Sequence, residues 1–162
     1  MSDDPANPGS RGGGAPQRAG SGNGPSVVEQ LDEADCLQLI AARRLGHLAY
    51  TGPFGPTVLP VVYKLHEKSI VFHTLPGTST EEDLRTGIAN AEYQVAFEVD
   101  QFDPDKLEGW FVVAVGSAHH VDTEAERASI ISAGADPLPG IGSQHMVRVH
   151  PTRISGRRRL RP

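Results

Sequence analysis

The sequence predicts a mainly β fold in which short α-helices interrupt six antiparallel strands. Three observations carry this reading. Runs rich in Val, Ile, Phe and Tyr recur from His47 onward, the composition of half-buried strands. Tight Gly/Pro links such as Gly52-Pro-Phe-Gly-Pro56 favour antiparallel neighbours, because a parallel pair needs a long crossover. The helical segments are too few and too irregularly placed for βαβ alternation. A six-stranded sheet with so few helices closes most naturally into a small barrel.

The elements follow in order. Residues 1–26 hold seven of the eighteen glycines and four prolines, and almost no large apolar side chain. Such a stretch cannot offset its ordering entropy, so a disordered tail is expected there. Residues 31–45 then show helical periodicity, with Ala34, Leu37, Ile40, Ala41 and Leu45 on one face. Asp32 is the expected N-cap and Gly46 the expected C′ residue. Cys36, the single cysteine, falls inside this helix and excludes both an intrachain disulfide and a cysteine-based zinc site.

Strands are expected at 47–50, 57–64 and 69–74, with Pro60 marking an edge or a bulge. Ser79 with Glu82, or Thr80 with Asp83, caps a helix reaching about Ala89. Val95, Phe97 and Val99 share one face of a fourth strand. A long apolar strand spans 109–121, with Gly116 placed for a bend or bulge. Thr123 with Glu126 opens a last helix, and 145–154 supplies the sixth strand. The domain is expected to span 27–156, followed by a basic tail at 157–162.

Charge narrows the function. Without the first 26 residues and without Arg157, Arg158, Arg159 and Arg161, nine basic and eighteen acidic residues remain. An acidic body repels phosphate backbones, which argues against nucleic acid as its main partner. No apolar run approaches the roughly 18 residues of a membrane span, and residues 1–24 lack a secretory h-region. Cytoplasmic residence is expected. His119 and His120 are adjacent and point to opposite faces of a strand, as do His145 and His150 five apart. No metal site is expected, and no phosphate-binding or nucleophile-elbow motif occurs.

The ordered segments Arg44-Leu-Gly-His-Leu-Ala49, Val58–Tyr63, Ser69–Thr74, Pro76-Gly-Thr78, Val95–Asp100, Gly109-Trp110 and Arg153–Arg157 resemble the pyridoxamine 5′-phosphate oxidase-like proteins, particularly their small actinobacterial-type members. The resemblance implies a six-stranded split barrel that forms a homodimer, with a flavin (usually FMN) between subunits. It implies an oxidoreductase acting on a small molecule. Some relatives use a deazaflavin coenzyme, some haem, and some no demonstrated cofactor, so a degenerate binding or regulatory module is the alternative.

By the same resemblance, Pro60, Val62 and Tyr63 line the flavin ring and Trp110 meets its edge. His73, Thr74, Thr78 and Ser79 hold the phosphate. Close relatives carry Arg-Thr and Pro-Gly-Thr-Lys where this chain has His73-Thr74 and Pro76-Gly-Thr-Ser79. Each missing charge-assisted bond is worth about 1.5–3 kcal/mol. Losing two lowers phosphate affinity by about two to four powers of ten unless another group compensates.

Overall fold

The structure is a computed structural model, and it describes residues 27–84, 93–135, 139–140 and 144–160. The expected disordered tail at 1–26 and the expected helical stretch at 85–89 lie outside the described residues. The elements are β1 (Val27–Leu31), α1 (Glu33–Ala41), β2 (Leu45–Gly52), β3 (Gly55–His66), β4 (Ser69–Thr74), α2 (Ser79–Asp83), β5 (Tyr93–Asp103), β6 (Glu108–His120), α3 (Glu124–Ser132) and β7 (His145–Leu160). No helix among the described residues is long and apolar enough to cross a membrane.

The strand order is β1-β7-β4-β3-β2-β5-β6, and β6 also pairs with β7. Six strands therefore close into a ring and β1 is a seventh added to it. Every pairing is antiparallel. The long β7 makes this possible. Its first five residues pair with β4, from Ile70↔Val149 to Thr74↔His145, and its last five residues pair with β1. Its other edge follows β6, with a register shift at Val115/Gly116 where the bend was expected. A Cβ on Gly116 would lie 1.9 Å from the His150 carbonyl oxygen, so the close approach of β6 to β7 requires glycine there.

Several expectations are corrected. The expected six-stranded barrel is present, and β1 is a seventh strand added to it. β1 escapes notice because four of its five side chains are exposed, leaving no inward/outward alternation to read. Arg157–Leu160 continue β7 past the expected boundary at Gly156, held between β1 and β6. The first helix ends at Ala41, and Gly46 pairs with Val61 in β2 instead of closing the helix. A Cβ at Gly46 would lie 2.4 Å from Phe97 Cζ, so glycine is required by packing. Thr78, not Ser79 or Thr80, caps α2. Pro60 does sit on an open edge, because β4 pairs only with Tyr63–His66 of β3.

Leu48, Ile70, Phe72, Phe97, Val112 and Val149 are fully buried inside the barrel, each contributing about 1.5–3 kcal/mol of transfer free energy. α1 covers one side of this core with Cys36 and Ile40. Burial raises the Cys36 thiol pKa, with Asp32 and Asp35 adding to the effect, which suits a packing residue. A second apolar cluster of Val71, Val121, Ile130 and Met146 fixes α3 on the outer face of β4 and β7.

Candidate functional site

The sequence-predicted residues separate into three places. The first is the turn from β4 into α2. Thr74 is buried, and its Oγ1 has no hydrogen-bond partner among the described residues. Such an atom costs about 1–3 kcal/mol unless something binds it. Thr78 is committed elsewhere. Its hydroxyl donates to the Leu75 carbonyl (2.8 Å) and accepts from the Glu81 amide (3.3 Å). Ser79 is exposed at the start of α2. His73 neighbours Thr74 in sequence but, on a strand, points to the opposite face. It lies on the side of Val71 and Met146 that α3 covers, so the structure does not bring His73 to Thr74.

The carboxylates of α2 are less repulsive than their number implies. Glu81 is buried with His145 Nδ1 3.1 Å from its Oε1, and Tyr50 donates to Asp83 Oδ2 at 3.0 Å. Burial raises the Tyr50 pKa, so the phenol remains a donor at neutral pH. Arg85, the cation nearest in sequence after the turn, lies outside the described residues.

The second place is the outward face of β3. Pro60 and Val62 project there opposite His47 and Leu45. Val62, Val58, Leu45 and Phe111, at 48%, 66%, 58% and 42% exposure, share this outer surface across β3, β2, β5 and β6. Tyr63 does not join them. It points inward, packs edge-on against Phe97 with centroids 4.7 Å apart, and donates its hydroxyl to the Ile40 carbonyl at 2.6 Å. The period of two separates neighbours that similarity to a motif groups together.

The third place surrounds Trp110. The Arg43 guanidinium lies 5.6 Å from the centre of its ring and also donates to Gln101 Oε1. Trp110 lines a cavity of about 480 Å³ with Phe102, Phe111 and the consecutive Arg157, Arg158 and Arg159, within the usual size of small-molecule sites. Glu98 and Asp100 complete the wall. Burial raises the Glu98 pKa, Asp100 raises it further, and the bond to His47 at 3.2 Å opposes both. Sequence reasoning missed these arginines as site residues. Their signal was a run of charge, which reads as a solvated tail until β1 is seen to make it a paired strand.

Thr74 pairs with His145, whereas Trp110 pairs with Arg158. Those partners are thirteen residues apart on β7, a path of about 40 Å at about 3.3 Å per residue. One chain therefore presents the turn and the aromatic cavity at opposite ends of its longest strand.

A family model described as pyridoxamine 5′-phosphate oxidase matches residues 32–158. The uncharacterized protein Rv0080 of Mycobacterium tuberculosis is 27% identical over 149 residues, covering 92% of each chain. Among solved structures, the FAD binding protein from Mycobacterium smegmatis is 30% identical with a TM-score of 0.65, covering 82% of this chain and all 100% of that one. A FAD-binding protein from Mesorhizobium loti is 23% identical with a TM-score of 0.64, covering 84% and 99%, and is similar in fold.

Proposed function

The chain belongs to the pyridoxamine 5′-phosphate oxidase family, and from that premise we propose that it binds a flavin nucleotide between two copies and acts as an oxidoreductase on a small molecule. The observation that carries this reading is the Trp110 cavity, where an aromatic wall adjoins three arginines. A flat aromatic ring carrying phosphate groups matches both halves of that lining. The arginines also offer the cationic charge that His73 and Ser79 do not. The names of the Mycobacterium smegmatis and Mesorhizobium loti proteins favour FAD over FMN as the first candidate, with FMN and a deazaflavin coenzyme tested beside it.

A bound flavin would supply hydride chemistry at its ring, and the chain would supply position and electrostatics. Trp110 would meet the ring, Arg157–Arg159 would balance phosphate charge, and the Thr74 hydroxyl would donate to an anion that reaches the β4–α2 turn. The hydrogen-bonded His47–Glu98 pair is the group beside the cavity able to hold a proton. The long path between Thr74 and Trp110 supports a site assembled from two chains, each giving one end. The exposed apolar surface of Leu45, Val58, Val62 and Phe111 supports a homodimer through that face.

The test is direct. The purified protein should retain flavin absorbance or bind added FAD, FMN or deazaflavin coenzyme, and Trp110→Ala should weaken binding. Failure of all three cofactors to bind overturns the proposal.

A second reading, a binding or regulatory module without redox turnover, is favoured by the turn itself. It lacks both family cations, and Thr78 donates to the backbone. This reading predicts that Ser79→Lys creates FMN affinity absent from the natural protein. Because His73 faces α3, His73→Arg should add little.

A further inference from the structure

Another group of side chains lies away from those three places, where α3 meets the outer face of β6 and β7. Glu126 stands three residues after the Thr123 cap, a position from which a glutamate commonly folds back onto the cap's own amide. Here its carboxylate turns to the barrel instead. Oε1 lies 3.1 Å from His119 Nε2 and 3.1 Å from Arg148 Nη1. The His150 ring stacks on that of His119, with centroids 5.2 Å apart and planes within 7°. Ser69 Oγ, 3.0 Å from His150 Nδ1, orients this second imidazole.

The strand register explains the meeting. His119 pairs with Arg148 and Ser117 with His150, so the two histidines are diagonal neighbours on one face. One ligand atom from each of His119, Glu126 and His150 lies within 4.8 Å of the other two. His119 and Glu126 keep 24% and 23% of their side-chain surface in solvent, so an ion has a path in. Burial pushes the Glu126 carboxyl up, but hydrogen bonds from Arg148 and His119 outweigh it and hold the pKa below its ordinary value. The carboxylate is thus ionised at neutral pH.

We propose that His119, Glu126 and His150 form a site for a borderline divalent transition-metal ion such as Zn²⁺, with one position left to water. Two imidazoles and a carboxylate select this class over Mg²⁺ or Ca²⁺, which require mostly oxygen ligands. Bonds of about 2.0–2.2 Å in a tetrahedral sphere place ligand atoms roughly 3.4 Å apart. The His119–Glu126 pair is already that close, and the third ligand closes by turning His150 out of its stack. Arg148 opposes a cation. Its charge is offset by Glu126 and by Glu67, whose Oε2 accepts its other arm at 3.2 Å. The ion would tie α3 to both strands beneath it.

The test uses the full chain, stripped with a chelator and titrated with Co²⁺, whose visible bands report coordination. The expected result is one Co²⁺ per chain, in a four- or five-coordinate spectrum, displaced by Zn²⁺. Outer-shell changes typically cost about 10–100-fold in metal affinity, so His150→Ala and Glu126→Gln should each cost at least about a hundredfold. Retained thermal unfolding in either variant excludes a folding defect as the cause, and two variants at different elements guard against losing one. His47, Glu98 and Asp100 form the other described group with metal-ligand spacing, so His47→Ala should leave the spectrum unchanged. Absence of a Co²⁺ band at millimolar ion, or a band lost with His47→Ala and kept with His150→Ala, overturns the assignment.

Discussion

Replacing Thr74 by valine separates a structural role for this residue from a ligand-binding one, because the two predict opposite signs. Thr74 is 8% exposed and its hydroxyl oxygen is buried without a hydrogen-bond partner among the described residues. Valine keeps the branched shape and removes the unsatisfied atom. Relief of that desolvation penalty stabilises the cofactor-free protein by about 1–3 kcal/mol. In a chain of this size each kcal/mol raises Tm by roughly 2–4 °C, so thermal unfolding should shift upward by several degrees. The same change removes a donor to phosphate. A hydrogen bond to a charged group is worth about 1.5–3 kcal/mol, so calorimetric affinity for the flavin should fall by roughly 10–150-fold. Circular-dichroism melts of the cofactor-free protein and titrations with FAD and FMN read the two effects independently. A Tm that falls, together with unchanged flavin affinity, would show that the hydroxyl serves the fold, and the reasoning would be refuted.

Other perturbations probe the remaining residues. Tyr63→Phe removes the phenol from the Ile40 carbonyl, which keeps the Arg43 amide at 3.2 Å, so urea unfolding should show a loss of about 0.5–1.5 kcal/mol while flavin affinity stays unchanged; a large affinity loss would return Tyr63 to the ring-lining set. Val58→Asp charges the exposed outer face and should convert a dimer to monomer in sedimentation, with loss of flavin binding; a monomeric natural protein would remove the two-chain site. Gly116→Ala forces a Cβ onto the His150 carbonyl at 1.9 Å and should cost at least about 1–3 kcal/mol, measured by chemical denaturation. Glu126 has a folded-state pKa lowered from 4.5, so its stabilisation is fully present above about 4.5 and lost as pH falls through the lower folded value. Glu126→Gln should therefore flatten the acid limb of the stability–pH curve.

Much of the architecture was legible because it depends on local pattern. Val95, Phe97 and Val99 recur at every second position, and the glycine at 116 marked the bend between long strands. β1 was not legible, since Val27-Val-Glu-Gln-Leu31 has no buried face of its own and exists through pairing with Arg157–Leu160. Gly46 misled for a related reason. A glycine after a helical pattern looks like a terminator, and nothing local shows that Phe97, fifty-one residues later, occupies the missing side chain's place. The site residues were divided by the same physics. Thr74 emerged with a buried, unpartnered oxygen, Tyr63 turned into the core, and His73 turned to α3, because sequence similarity aligns positions but strand periodicity decides faces. The His119–Glu126–His150 group was invisible for want of a fixed spacing. Its members meet through the register of β6 on β7 and a helix that returns over both.

The proposed flavin lies beside Trp110, the single tryptophan of the chain. Titrating the cofactor-free protein with FAD while following tryptophan fluorescence therefore reports a flavin bound near that ring. Saturable quenching that ends at one flavin per chain is the expected result. No quenching with FAD, FMN or a deazaflavin coenzyme, at concentrations up to millimolar, would contradict it.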